Sequence, residues 1–427
     1  MLIAGDPSGD SLAAELAREL TAQLTARPSS FGPRFFGAGG PAMAAAGVDL
    51  AFDLTQHSVI GLLEALQNYA EFKRLFDQLL DLAFARQPDV IICVDFSGFN
   101  RRFAHAVRQR LARQHGDFAN WHPKIVQYVS PQVWASRADR AASLARDFDL
   151  LLCLFPFERA WYATRVPDFP VEFVGHPMLD RHAQPASAHA PERRSPDRRA
   201  ADTDPLRTGI PGCENLHDPN ARPSAHAETI HAAAPEVVLL PGSRVGELRR
   251  HLPPRLEAAR MIAAVEHVTL RMVLPTESLA ELARPLAAQV PGLHLQVGGL
   301  AEALRTATVA LASTGTVTLE CDYFGVPTVA LYKTSWITYQ IGRRIIDVNY
   351  LAMPNLLAGE AVFPEFIQHD ATPLNLADAV VELLRFPEHR AEVKRKLAAV
   401  IATLGGPGAT HRAAKAVLRL VEADAAN

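Results

Sequence analysis

Short β-branched or aliphatic runs alternate along the chain with longer stretches of helical spacing. In the first half the runs are Val90 to Val94, Lys124 to Val129, Leu150 to Phe155 and Val171 to Val174. That rhythm predicts βα units on a parallel sheet. It restarts after residue 235 with Val237 to Leu240, Leu270 to Val273, Leu293 to Val297, Val309 to Ala312 and Pro327 to Leu331. The restart predicts an α/β protein with two doubly wound, Rossmann-like domains, 1–180 and 235–385. After Pro354 apolar residues recur at i, i+3 and i+4 in Leu374 to Leu384, Glu388 to Ile401 and Thr410 to Val421. Helices are expected there, with 386–427 packing across the domains or against a second subunit.

Between the two rhythms, residues 181–234 hold 12 Ala, 7 Pro, 14 charged residues and no Phe, Trp or Tyr. Such a segment buries too little apolar surface to offset its ordering entropy, so it reads as a disordered linker insertion. Its five histidines (His182, His189, His217, His226, His231) are irregularly spaced, as solvated linker residues would be, not as a metal tract. The 427 residues exceed one module at roughly 150 residues per domain. With 48% hydrophobic and 21% charged residues the chain is an ordinary globular protein with core enough to need no staples. Lys+Arg 43 against Asp+Glu 46 leaves a net charge of -3, without the basic excess of a nucleic-acid binder. Four scattered cysteines (Cys93, Cys153, Cys213, Cys321) suit a reducing cytoplasm better than a disulfide framework or structural zinc. No apolar run approaches the roughly 20 residues that span a bilayer, which points to a protein that is soluble or bound at a membrane surface.

Four loops could carry chemistry. Gly5 to Asp10 is a small-residue turn leading to a helix expected near Ser11, where Gly5 and Gly9 permit close approach and Ser8 or Asp10 can cap the helix facing a ligand. An ordinary capped βα turn is the other reading. Few residues precede Gly5, so the first strand looks clipped, as if the natural start lay upstream. Asp95 closes the strand Val90 to Val94 at the edge where open α/β sheets bind ligands. It could accept a proton from a substrate hydroxyl, or only cap the helix beginning near Phe99. Leu240-Pro-Gly-Ser-Arg244 offers a phosphate the Gly242-Ser243 backbone and the fork of Arg244, with Glu247 capping the helix or holding Arg244. Thr314-Gly315-Thr316 opens another helix, with Glu320 one turn further on the same face. Two such loops in neighbouring units point to a nucleotide-diphosphate site, and the missing Walker lysine and GxGxxG argue against ATP hydrolysis and dinucleotide redox chemistry.

Together these stretches resemble the lipid-A-disaccharide synthase family. The matching segments are AGDPSGD (Ala4 to Asp10), IGLLEAL (Ile60 to Leu66), VDFSGFN (Val94 to Asn100), YVSPQVWASR (Tyr128 to Arg137), LFPFE (Leu154 to Glu158), GHPMLD (Gly175 to Asp180), LPGSRVGE (Leu240 to Glu247), TGTVTLE (Thr314 to Glu320) and MPNLLAGE (Met353 to Glu360). They stand in family order and cover nearly the whole chain outside 181–234. The resemblance implies a GT-B fold, its two domains facing a central cleft. It also implies an inverting transfer of 2,3-diacylglucosamine from UDP to the 6-hydroxyl of 2,3-diacylglucosamine 1-phosphate, giving a β-1,6-linked disaccharide and UDP. No nicotinamide, flavin or essential metal is implied.

By the same resemblance Asp95 is the catalytic base, and Gly242, Ser243, Arg244, Glu247, Gly315, Thr316, Glu320 and Asn355 bind the UDP donor. Asn355 could instead complete a partner's site in a homodimer that exchanges C-terminal segments. Ser8, Gly9, Asp10, Gly61, Glu64, Tyr128 and Ser130 are expected in the acceptor loops. Leu63, Leu66, Tyr69 and Phe72, at three-residue steps, form an acyl- or bilayer-facing helix surface, or equally an ordinary core face. The implied location is the inner face of the cytoplasmic membrane. The family usually has Glu where this chain has Asp6, Pro-Asp in place of Ser97-Gly98, and a second tryptophan in place of Ser136. Two other readings remain. One is a related GT-B transferase or epimerase using a soluble UDP-N-acetylglucosamine-type substrate; the other is a catalytically silent UDP-sugar binder.

Overall fold

The computed structural model describes residues 1–26, 32–57, 69–113, 120–183 and 234–425. Gly61, Leu63, Glu64, Leu66 and nearly all of the 181–234 segment lie outside these residues. Residues Met1–Ala183 and Pro235–Asn427 belong to one compact unit built on two sheets.

The first sheet has seven parallel strands in the order β3-β2-β1-β4-β5-β6-β7: β1 Leu2–Ala4, β2 Phe36–Gly39, β3 Asp49–Asp53, β4 Val90–Val94, β5 Lys124–Tyr128, β6 Leu150–Cys153 and β7 Val171–Phe173. The second has six, β10-β9-β8-β11-β12-β13: β8 Glu236–Leu240, β9 Thr269–Leu274, β10 Leu293–Val297, β11 Val309–Ser313, β12 Thr328–Tyr332 and β13 Glu365–Ile367. Central strands such as β4 (Val-Ile-Ile-Cys-Val) and β8 (Glu-Val-Val-Leu-Leu) are near-continuous apolar runs because helices cover both faces, so no alternation survives. In each sheet the strand order reverses once, between β1 and β4 and between β8 and β11. A crevice opens there beyond the carboxyl ends of the strands.

The first helix starts at Pro7, not near Ser11, because Asp6 caps it by accepting from the Gly9 N–H at 2.6 Å and Pro7 fits the first turn. The helix after β4 likewise starts at Ser97. The C-terminal helices divide between the sheets. Val393 and Leu397 of helix Pro387–Thr403 join the core of the second sheet, whereas Ala413, Ala414 and Val417 of the last helix, Ala409–Ala425, join that of the first. Asp180 makes this return possible by accepting from the N–H groups of Gly408, Ala409 and Thr410 at the start of the last helix. Arg412 adds a bond from Nε to the Val174 carbonyl at 2.8 Å.

Candidate active site

At the first crevice β4 ends in two residues with left-handed backbone, Asp95 (φ 47) and Phe96 (φ 39). Non-glycine residues pay roughly 1–2 kcal/mol each for this conformation, so the neighbourhood must hold it. Asn100 and Gln127, both fully buried, do so by donating to the Asp95 carbonyl at 2.8 and 3.1 Å, and the Asp95 N–H donates to the Tyr128 carbonyl at 2.9 Å. The backbone is thereby tied down and the carboxylate is left half-buried. Gly9 supplies the room: a Cβ there would lie 2.9 Å from Asp6 Oδ1 and 3.5 Å from Asp95 Cβ. Burial pushes the Asp95 carboxyl up to about 6, and the nearby Asp6 charge pushes the same way; a bond from the Phe96 N–H and the positive charge of Arg244 oppose them. A carboxylate so tuned is a usable base near neutral pH.

At the second crevice Gly242 (φ 115) and Gly315 (φ 131) occupy backbone regions that only glycine enters without strain. Glu247 ties the first loop, accepting from the Ser243 N–H at 3.3 Å and from Arg244 Nη1 at 3.1 Å. It therefore both braces the loop and holds Arg244. Helix Val245–Val265 and helix Thr316–Tyr323 start here, so their N-terminal N–H groups face a cavity of about 310 Å³. Gly242, Ser243, Arg244, Glu247, Gly315, Thr316 and Glu320 line it, Leu274, Pro275 and Leu300 give it an apolar wall, and Ser8 reaches it from the first turn of helix Pro7–Thr25. Burial raises the Glu320 carboxyl, with Arg181 acting against the rise.

Other expected site residues stand elsewhere. Asp10 is buried and accepts from the N–H groups of Gly40, Ala42 and Met43, so it caps the next helix and is closed to a ligand. Tyr128 is buried in the core shared with the last helix, and Ser130 is buried at 3.3 Å from the Tyr162 hydroxyl. Asn355 is fully buried: its amide donates to the Phe363 carbonyl and to Glu365, and its oxygen accepts from the Val362 and Phe363 N–H groups. Every bonding position of that amide is taken within its own chain, so it holds the MPNLLAG turn and does not line the donor cavity. Tyr69 opens the helix Tyr69–Arg86, and Phe72 lies half-buried one turn on.

Sequence reasoning passed over two groups. Asp6 was legible, since Asp-Pro ahead of an apolar-periodic stretch is a cap signal. The buried set below the donor loop was not: Arg255 donates to Ser313 Oγ at 3.2 Å, and His251 Nδ1 lies 2.9 Å from the same oxygen. Burial lowers His251 to about 4, leaving a neutral ring.

Two parallel sheets, each with its ligand loops at the strand-order reversal, form the GT-B arrangement of nucleotide-sugar transferases and epimerases. A putative UDP-N-acetylglucosamine 2-epimerase from Listeria monocytogenes shares this fold at TM-score 0.56 and 14% identity, over 99% of this chain and 95% of that one. A spinosyn rhamnosyltransferase shares it at TM-score 0.53 and 15% identity, over 97% and 99%. The family described as Lipid-A-disaccharide synthetase matches residues 1–196 and 213–419. A lipid-A-disaccharide synthase of Geobacter sulfurreducens is 32% identical over 424 residues, 99% of this chain and 97% of that protein, and one of Azotobacter vinelandii is 34% identical over 431 residues, with the same two coverages. The chain belongs to the lipid-A-disaccharide synthase family and is a glycosyltransferase.

Proposed function

We propose that the enzyme joins UDP-2,3-diacylglucosamine to 2,3-diacylglucosamine 1-phosphate. The bond between the sugar C1 and the diphosphate oxygen breaks, a bond from C1 to the acceptor 6-oxygen forms with inversion, and UDP leaves. The hydroxyl proton passes to Asp95, which faces a positively charged cradle at the opposite crevice. The observation that carries this reading is the donor cavity itself: Ser8 of the opening helix lines it together with Arg244 and Gly315, and the next residue, Gly9, packs against Asp95. Base and leaving-group site thus share one cleft. As charge grows on the departing diphosphate, Arg244 and the helix N-termini at Gly242 and Gly315 stabilise it, while Glu320 meets the ribose.

Lipid substrates place the enzyme at the inner face of the cytoplasmic membrane. No helix among the described residues is long and apolar enough to cross it. Helix Trp336–Ile345 supports surface binding: Trp336 is 64% and Ile341 50% exposed, beside Arg343 and Arg344. Seating the last helix on the first helix of a second copy would give an exchanged homodimer, which light scattering tests. For the reaction, purified protein is incubated with a defined diacyl donor and acceptor. Mass spectrometry should find the disaccharide phosphate with stoichiometric UDP; turnover of unacylated UDP-N-acetylglucosamine without it would favour an epimerase-like activity.

A further inference from the structure

Beside Asp95, helix Tyr69–Arg86 and helix Ser97–Arg113 enclose a cavity of about 450 Å³ walled by Phe72, Phe76, Phe96 and Phe99. Phe96 and Phe99 stack at 5.7 Å, and Phe76 meets Phe99 edge-on at 5.3 Å. The inner end is anchored to the reaction centre, because Phe96 directly follows Asp95 and its ring lies against Gly5, where a Cβ would come within 2.1 Å. Its charged lining is Lys73, Arg102 and Asp77, all exposed, and neither cation is in an ion pair among the described residues. Aromatic walls with a rim of two cations and one carboxylate, net positive, fit an amphiphile whose tail enters and whose anionic group stays outside by Lys73 and Arg102. The donor's diphosphate has its cradle on the other sheet, so a lipid held here, next to the proton acceptor, is the acceptor.

We propose that this groove seats one acyl chain of the acceptor, with Lys73 and Arg102 on its 1-phosphate, so that groove depth selects acyl length. The proposal rests on the disaccharide-synthase reading. The test measures kcat/KM for a ladder of acceptor chain lengths at fixed donor, and then for a donor ladder at fixed acceptor. In the wild type each methylene the groove admits should raise acceptor kcat/KM about fourfold. Phe76→Trp should move the acceptor optimum to chains shorter by two or more methylenes and leave the shape of the donor ladder alone. Lys73→Gln with Arg102→Gln should raise acceptor KM tenfold or more and abolish discrimination between the 1-phosphate and its dephosphorylated form. Identical acceptor ladders in wild type and variant, or a shift in the donor ladder instead, would overturn the proposal while the disaccharide-synthase reading stands. No UDP release by wild type at any chain length would sink both.

A binding readout separates occupancy from a damaged fold. The indole introduced by Phe99→Trp should be quenched by an acceptor brominated near its acyl terminus, and absence of quenching rejects the groove. If Phe76→Trp alters binding to anionic phospholipid vesicles with no change in either ladder, the rings belong to bilayer insertion and the proposal fails.

Discussion

The two crevices occupy the same topological position and are built from opposite materials. Beyond β8 and β11 the turns are glycines at φ 115 and 131, the fixed charge is Arg244, and two helix N-termini face the cavity. Beyond β1 and β4 the left-handed positions belong to Asp95 and Phe96, and the charges are the carboxylates of Asp6 and Asp95. Glycine lets a backbone approach an anion without strain, which suits a surface that binds a diphosphate. A strained aspartate held by Asn100 and Gln127 is suited instead to presenting a side chain at a fixed angle. Topology thus selects the place, and the residue in the left-handed turn selects whether that place binds charge or moves a proton.

Two substitutions test this division most strongly. Asp95→Asn should lower kcat by about 10²–10⁴ and leave calorimetric UDP binding intact, because donor contacts lie on the other sheet. Loss of UDP binding as well would break the comparison. Arg244→Met comes next: losing a charged hydrogen bond to the diphosphate should raise donor KM by about 10–100-fold. It should also move the acid limb of the kcat/KM profile slightly upward from about 6, since Arg244 joins the stronger Phe96 N–H bond in opposing burial at Asp95. A tenfold smaller KM effect would show that the helix N-termini alone hold the donor.

A third substitution concerns stability. Asn355→Ala removes four buried hydrogen bonds and leaves the Val362 and Phe363 N–H groups and the Phe363 carbonyl without that partner. A loss of about 1–3 kcal/mol is expected in urea unfolding, with donor KM changed less than in Arg244→Met. A donor KM effect equal to that of Arg244→Met, without a loss of stability, would place Asn355 in the second crevice after all.

The second crevice was the more legible from sequence because its chemistry is local. PGSR and TGT each follow an aliphatic strand, and the segment itself contains the glycines, the cation and the helix start. The first crevice depends on distant partners: Asp6 beside Asp95, and Phe76 against Phe99. Periodicity does not report such pairs. The central strands were readable from their apolar runs, whereas β2 (Phe-Gly-Ala-Gly), the largely solvent-facing β3 and the three-residue β13 carry too little β-branched or aliphatic signal. Asp10, Ser130 and Asn355 show the limit of motif reading. A polar residue that braces backbone and one that meets a ligand look alike until the partner is known.

The smallest expected effect is also the sharpest test of the acidic crevice. Asp6→Asn keeps an N-cap acceptor for the Gly9 N–H, so melting temperature should hardly move. It removes the like charge that ranks after burial in raising Asp95. With less repulsion the carboxylate is easier to ionise, so the acid limb of kcat/KM should move below about 6, by less than about one unit because burial persists. The shift has the opposite sign to that in Arg244→Met, although both substitutions delete one charge. Limbs displaced in opposite directions identify a carboxylate titrating between Asp6 and Arg244. If both profiles stay in place the titrating base is not Asp95, and the first crevice loses the role that distinguishes it from the second.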